Sequence, residues 1–505
     1  MPKNCKGECT LERIRNISLR AKITGARDAA ELIKDGMTVG ASGFTPSGYP
    51  KAVPLALAER AAREPFKINL YTGASVGDEL DGALARAGAV NLRLPYQTNN
   101  AMRDAINSGA VHFADMHLSH VPQLVRYGYL GKIDVALVEA VAITEEGYIV
   151  PSTSLGATPA YVEQAEMVIV EINTSQPLAL EGMHDIYRPE APPNRQAIPL
   201  TAPGDRIGTT YIPCDPQKIA AIVITDIEDA VRPLGPIDQC SRDISAQLIE
   251  FLQFEVGLGR LPRNLLPLQS GVGSVANAVL AGLLESPFTD LTCYTEVIQD
   301  SMLDLIDAGL VTVASGCSLT PSLEGLKRFK QNIDFYRTKI ILRPQDITNH
   351  PEIARRLGVI SMNTALEVDI YGNVNSTHVM GQRMMNGIGG SGDFARNAYL
   401  SIFTTPSIAK QGDISSIVPM VSHHDHTEHD VMVIITEQGV ADLRGLSPRQ
   451  RARRIIEHCA HPDYRPMLRD YLDRAESGQY RHTPHLLGEA LSWHQRFLQT
   501  GSMKP

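Results

Sequence analysis

The 505-residue chain is poor in cysteine, in long apolar runs and in positive charge, and each shortage excludes a class of protein. Its seven cysteines, Cys5, Cys9, Cys214, Cys240, Cys293, Cys317 and Cys459, are odd in number and scattered. A disulfide framework is even and dense, so these read as reduced thiols of a cytoplasmic protein. Cys5 and Cys9 form a lone CxxxC with no second pair to complete a metal shell. No uninterrupted apolar stretch approaches the ~18 residues that span a bilayer. The first twenty residues lack the apolar core of a secretory signal. Lys and Arg number 47 against 56 Asp and Glu, a net charge of −9, with no basic run or tail. The electrostatic footprint of a nucleic-acid binder is therefore missing. With 40 glycines, 32 prolines, 43% apolar and 20% charged residues, the composition is that of an ordinary globular chain.

What is present is a recurring pattern: a short β-branched run, a glycine-rich break, then a segment with helical period. Runs at Met37–Ala41, Ile68–Tyr71, Ile133–Ala140, Met167–Ile172 and Ile219–Ile224 predict strands, with a helix over Val53–Ala62. Strands apolar on both faces and alternating with helices point to parallel α/β layers. Asp226–Gln239, with two prolines and mixed charge, reads as a linker. Beyond it, strands are expected at Leu291–Thr295, Val311–Ala314, Lys339–Leu342, Ile417–Met420 and Val431–Thr436. A helix is expected from Ser447 and Pro448. Met362–Asn375 alternates at period two around a Gly-Asn turn and predicts an antiparallel hairpin. The fold class is α/β, with two open, mainly parallel domains at residues 1–228 and 229–505.

Several segments could carry chemistry. Gly271-Val272-Gly273-Ser274-Val275-Ala276 matches GxGxxA ahead of an apolar helix. A dinucleotide site would need a strand running into the first glycine, and Pro267 sits badly in a central strand. The spacing does support backbone N–H groups exposed at a helix start, able to hold a phosphate or a developing oxyanion. Glu296 ends an apolar run, and helical periodicity follows at once in Val297, Ile298, Met302, Leu305 and Ile306. It is either a carboxylate at the ligand-binding edge of a parallel sheet or an acid favouring a helix dipole. Asn386–Asp393 holds four glycines in six positions, which favours close approach of backbone to a ligand. Glu437 is a second carboxylate at a strand end. The segment Ser422–Asp430 carries four histidines but lacks the helical spacing of a metal motif. It reads as a solvated loop with one or two hydrogen-bonded histidines, and no metal site is assigned. Neither a GxSxG nucleophile elbow nor a P-loop is read in the sequence.

Taken together, these blocks resemble the class I coenzyme A transferases, in the acetyl-CoA hydrolase and succinyl-CoA:acetate branch. The resemblance runs from SGFTPSGYPKAVPLALAER to HPDYRPMLRDYLDRA and LSWHQRFLQTGSM. Its most specific blocks are LPLQSGVGSVANAVL, YTEVIQDSMLDLIDAG, DIYGNVNSTHVMG, MMNGIGGSGDFARNAYLSIF and ITEQGVADLRGLSP. It implies two NagB/RpiA-like open domains, a homodimer, and Glu296 as the covalent nucleophile. It further implies oxyanion donors at the N–H of Val272 and of Gly390, Asn349 holding the attacked carbonyl, and Glu437 as a second active-site carboxylate. Coenzyme A would lie against Ser270, Gly271, Val272, Gly273, Ser274, Gly390, Gly392 and Lys410. Coenzyme A is implied as substrate and covalent intermediate, with no permanently bound cofactor. The implied activity is transfer of CoA from succinyl-CoA to acetate. Propionyl-CoA:succinate transfer, acetyl-CoA hydrolysis and non-catalytic acyl-CoA binding are the alternatives. The family's arginine for a succinate carboxylate falls slightly earlier than Arg232, the arginine available here.

Overall fold

The computed structural model describes residues 11–230, 237–271 and 273–505. They form two compact units: Met1–Pro233 with Cys293–Leu303 and Val313–Ile353, and Leu234–Thr292 with Asp304–Thr312 and Ala354–Pro505.

The first unit is built on β1 (Thr38–Ala41), β2 (Ile68–Tyr71), β3 (Val90–Leu94), β4 (His112–Phe113), β5 (Val135–Ile143), β6 (Ile149–Pro151), β7 (Met167–Asn173) and β8 (Ile219–Thr225). They order as β4-β3-β2-β1-β5-β7-β8, with β6 pairing β5 alone. All pairings are parallel except β5–β6. All nine residues of β5 are buried, as a central parallel strand requires. The chain builds outward from β1 to β4, then returns to β5 on the other side of β1. The β1/β5 junction is thus a topological switch point, where open α/β sheets place ligands. Close packing demands glycine in β1: a Cβ on Gly40 would stand 2.5 Å from Cγ of Tyr161. The Tyr161 hydroxyl donates to the Thr72 carbonyl at 2.8 Å.

Below that edge lies a buried ionic knot. The Lys51 ammonium reaches Glu139 at 2.5 Å and Asp229 at 2.9 Å, and donates to the Tyr49 carbonyl at 2.8 Å. Asp229 also accepts from Thr153 Oγ1 at 2.8 Å and Gln176 Nε2 at 2.9 Å. Glu171 accepts the backbone N–H groups of Lys51, Ala52 and Val53 at 2.8, 3.0 and 2.6 Å, satisfying the start of helix Ala52–Ala61.

The fully buried His184 donates from Nε2 to the Ser152 carbonyl at 2.8 Å, and burial pushes its pKa down to about 4. The native imidazole stays neutral while the unfolded one protonates near ~6.5. The unfolded state therefore binds the extra proton, and stability falls as pH drops from ~6.5 toward ~4, by about 3 kcal/mol in all. Denaturant unfolding across that window is expected to show a shallower acid slope for His184→Gln, whose amide keeps the donor without the titration. An identical slope would rule out His184 as a source of acid sensitivity.

The second unit carries strands Leu268–Ser270, Ile360–Thr364, Leu400–Thr404, Val433–Thr436 and Gly439–Asp442 in that spatial order, the first four parallel and the last antiparallel. The expected hairpin is present, with Glu367–Asp369 antiparallel to Val374–Asn375. Ser447 opens helix Pro448–His458 with a full capping box to Gln450. Its core joins Phe403, Ile434, Ile455, Tyr464, Leu468 and Trp493. Pro267 does not prevent a strand ahead of the glycine loop. It stands one residue before Leu268 and needs no N–H there, while its carbonyl accepts from Ile360 N at 2.9 Å. No helix among the described residues is long and apolar enough to cross a membrane.

Candidate active site

In the first unit, Glu296 stands between strand Leu291–Tyr294 and the short strand Val297–Ile298, half-buried. The helix expected directly after it begins only at Asp300. The Glu296 carbonyl accepts from Cys317 N at 2.7 Å and Ser318 N at 3.0 Å, and Val297–Ile298 pairs in parallel with Ser318–Leu319. That ladder puts a strand, Val297–Ile298, between Glu296 and the helix at Asp300, so Glu296 is not a first-turn acid serving a helix dipole.

Asn349 meets that carboxylate. Its Nδ2 donates to Glu296 Oε1 at 2.9 Å, while its Oδ1 accepts from Thr348 Oγ1 at 2.7 Å. The carboxylate settles which end of the amide faces it, because an ionised carboxylate only accepts, and the Thr348 hydroxyl then donates to the amide oxygen. Thr348 and Asn349 are both fully buried at the end of helix Gln345–Thr348. That helix is clamped from three directions. Tyr294 donates to the Ile347 carbonyl at 2.6 Å, Arg126 pairs with Asp346 at 2.6 Å, and Gln345 donates to the Leu118 carbonyl at 2.7 Å. An apolar shell of Phe44, Ala74, Leu118, Val297 and Cys317, with Tyr96 against it, adjoins the nucleophile strand. The Cys317 sulfur accepts from Gly156 N at 3.1 Å, and burial, then the neighbouring Glu296 charge, pushes the thiol well above its ordinary value.

In the second unit, strand Leu268–Ser270 runs straight into Gly271, whose N–H donates to the Met362 carbonyl at 3.1 Å. Gly273, at φ +120°, adopts backbone that a side chain rarely tolerates, and helix Ser274–Leu283 starts after it. Val272 and Arg232 lie outside the described residues. Gly390 and Gly392 are buried at the start of the short helix Ser391–Ala395, after Gly389 at φ +60°. Glu437 follows strand Val433–Thr436, so it and the Gly271 loop share the carboxyl edge of the parallel strands. It accepts from Ser407 N at 2.8 Å, from the Ser407 hydroxyl, and from Gln438 Nε2 at 3.1 Å. Burial would raise its pKa, but these donors outweigh it and hold the carboxyl below the usual range. Glu437 is therefore an anion at neutral pH. Lys410 is exposed on a one-turn element where it and Gln411 both have positive φ, at 51° and 58°.

Asn349 and Glu296 are the expected pair that the fold brings into direct contact. Thr348 and Ser407, which orient Asn349 and Glu437, went unread because hydroxyl residues carry no spacing signal. Gly73-Ala74-Ser75-Val76-Gly77 does fit the G-x-S-x-G spacing of a serine nucleophile, which corrects the reading above that no such motif is present. The buried Ser75 hydroxyl instead donates to Gln97 Oε1 at 2.9 Å and accepts from Thr98 N at 3.1 Å, which is turn architecture. Among the described residues no group of three or more His, Cys, Asp or Glu is gathered as a metal shell.

Residues 12–224 match the acetyl-CoA hydrolase/transferase N-terminal domain, and residues 325–472 match the C-terminal domain of the same family. A succinyl-CoA:acetate CoA-transferase of Clostridium kluyveri is 62% identical over 98% of this chain and 92% of its own length. A propanoyl-CoA:succinate CoA transferase of Escherichia coli is 49% identical over 95% of this chain and 98% of its own. An acetyl-CoA hydrolase of Schizosaccharomyces pombe is 46% identical over 97% and 98%. Among solved structures, RipA from Yersinia pestis has the same fold, with a TM-score of 0.70 at 24% identity over 90% of this chain and 97% of its own. The 4-hydroxybutyrate CoA-transferase of Porphyromonas gingivalis shares it too, at TM-score 0.63 and 23% identity over 90% and 98%. Two family domains in order along the chain, and close relatives spanning nearly all of it, lead to one conclusion: the chain belongs to the acetyl-CoA hydrolase/transferase family.

Proposed function

We propose that this protein moves coenzyme A from succinyl-CoA to acetate through covalent intermediates on Glu296. The observation that carries this reading is the oriented Asn349 amide 2.9 Å from the Glu296 carboxylate, in a chain 62% identical to a succinyl-CoA:acetate CoA-transferase. The Glu296 carboxylate attacks the thioester carbonyl, forming an acyl-glutamyl anhydride and expelling the CoA thiolate. The thiolate then attacks the glutamyl carbonyl, releasing succinate and leaving a glutamyl-CoA thioester. Acetate attacks that thioester to give an acetyl-glutamyl anhydride and thiolate. A final thiolate attack on the acetyl carbonyl yields acetyl-CoA and restores the carboxylate. A thioester is exchanged for a thioester, so the reaction is near balance and needs no ATP. A glutamate serves because its anhydride keeps the acyl group activated.

Each attack passes through a tetrahedral oxyanion, to which we assign the N–H groups of Val272 and Gly390 as donors. One aligned donor of this kind is worth about 10²–10³ in rate. Asn349 holds the carboxylate and then the glutamyl carbonyl. Glu437, ionised as described, is the second carboxylate of the site, and Lys410 meets the coenzyme together with the loops at Ser270–Ser274 and Gly390–Gly392. Binding energy from the coenzyme, far from the sulfur, positions the thioester for attack. We place the protein in the cytoplasm as a homodimer, with Glu296 and Asn349, which fall in the first unit rather than in a continuous C-terminal domain from residue 229, carrying the covalent chemistry.

The E. coli and S. pombe relatives support second readings, propionyl-CoA:succinate transfer and hydrolysis, with the same residues. Hydrolysis differs only in whether water reaches the glutamyl thioester. Intact-protein mass spectrometry after mixing with succinyl-CoA and no acceptor tests the proposal, with peptide mapping after borohydride reduction. A CoA adduct on the Glu296 peptide, discharged faster by acetate than by water, is expected. Equal discharge by water would make the protein a hydrolase, and no adduct with any acyl-CoA would leave a binding protein.

A further inference from the structure

The histidine-rich segment Ser422–Asp430 belongs to no step above, yet its four histidines are not alike. His423 stacks on His378 with centroids 3.9 Å apart and lies 3.4 Å from Asp425. Asp425 in turn accepts from Ser376 N and Thr377 Oγ1 at 2.6 and 2.9 Å, so this group ties one loop to another. His426 instead turns inward and is 3% exposed. Its backbone pairs with Val374 in both directions, at 3.1 and 2.8 Å, and its ring packs on Phe403 with centroids 4.8 Å apart.

The imidazole held this way meets Ser391, the residue after Gly390. Ser391 Oγ donates its one hydrogen to the Ile388 carbonyl at 2.7 Å. The 3.0 Å contact between Ser391 Oγ and His426 Nε2 must then run from imidazole N–H to hydroxyl oxygen. The result is a relay, His426 N–H to Ser391 O–H to Ile388 C=O, that closes the turn Ile388-Gly389-Gly390-Ser391. Two glycines make that turn costly in backbone entropy to hold in one conformation.

We infer that His426 is a positioning residue for the Gly390 loop, holding the Gly390 N–H in the orientation that an oxyanion requires. The inference rests on the donor role given to Gly390 above. A donor aligned before the reaction stabilises the transition state, so loosening it lowers kcat while substrate binding elsewhere persists.

The test uses the full-length protein and variants His426→Ala, His426→Gln, Ser391→Ala and the double His426→Ala/Ser391→Ala. Each is assayed for kcat and for KM of succinyl-CoA and acetate. For His426→Ala we expect kcat to fall about tenfold with both KM values within about twofold. Glutamine places an amide N–H where Nε2 stood and should recover most of the loss. Ser391→Ala should match His426→Ala, and the double variant should be no worse than either single one, because one relay is broken only once. Unchanged kcat in His426→Ala or in Ser391→Ala, no rescue by glutamine, or multiplying losses in the double variant would each overturn the inference. Should His426→Ala not fold, the Ser391→Ala and His426→Gln measurements decide alone. Turnover persisting in Glu296→Ala would instead sink the covalent mechanism, a failure separable from a silent His426.

Discussion

Alanine at position 296 is expected to lower transfer by ~10⁴-fold or more while acyl-CoA still binds. The reason is specific: removing the carboxylate removes the atom to which both acyl group and coenzyme become attached, and no neighbouring group can stand in for it. The first-unit neighbours that define its place, Asn349, Cys317 N and Ser318 N, would remain, the latter two held by backbone contacts that alanine keeps. Folding is therefore expected to survive. Glu296→Asp is the sharper variant. It keeps the charge but withdraws the carboxylate by one methylene from the Asn349 amide, and a misplacement of ~1 Å can cost ~10² in rate. Steady-state transfer assays paired with calorimetric titration of succinyl-CoA would separate chemistry from binding. Turnover in Glu296→Ala would remove the covalent mechanism from consideration.

The second large effect is on stability. Lys51→Met should destabilise the protein by about 3–5 kcal/mol, because it strands two buried carboxylates without their cation. Lys51, Glu139 and Asp229 are each under 5% exposed, with the ammonium 2.5 and 2.9 Å from the two acids. Even with that cation in place, burial raises the Glu139 pKa to about 7, against the pull of Lys51 and with a push from Asp229. Without it, Glu139 must hold a proton in the native state that the unfolded chain has released. Native then binds more protons than unfolded, so the deficit of the variant grows as pH rises above ~4.5. Urea unfolding at pH 5 and pH 8 reads this directly, and Lys51→Met/Glu139→Gln should recover part of the loss. A deficit below ~1 kcal/mol at both pH values would mean the knot is locally solvated.

Much of this architecture was legible because parallel strands announce themselves. Ile68–Tyr71 and Val433–Thr436 are apolar on both faces, and the expected runs contain them. The Ser447-Pro448 helix start carried its own capping chemistry. Strands Val90–Leu94, Ile360–Thr364 and Leu400–Thr404 were missed because polar residues interrupt them: Arg93 is buried by its ion pair with Asp81, and Ser361, Asn363 and Ser401 are buried within the second unit's sheet. A polar residue buried by pairing looks the same in a sequence as one in water. Val297–Ile298 went wrong for a related reason, since two residues cannot distinguish period 2 from period 3.6, and the parallel partner Ser318–Leu319 lies twenty-one positions on. The Glu296 and Asn349 roles came from family blocks, whereas Thr348, Ser407 and His426 act through isolated hydrogen bonds that leave no pattern to read.

The chemistry proposed here liberates a coenzyme thiolate twice in every turnover, beside an activated anhydride. Any reactive thiol of the protein would compete with the coenzyme for that acyl group. Cys317, whose N–H holds the Glu296 carbonyl, adjoins this hazard in the chain's own fold. It is fully buried and its thiol is pushed far upward, while burial raises Cys293 and Cys459 to about 12 and Cys214 to about 11. Cys240, less buried, reaches about 12 through burial and the Glu437 charge. The thiols of the described cysteines are thus held protonated, so that among the described residues none rivals the thiolate the substrate brings.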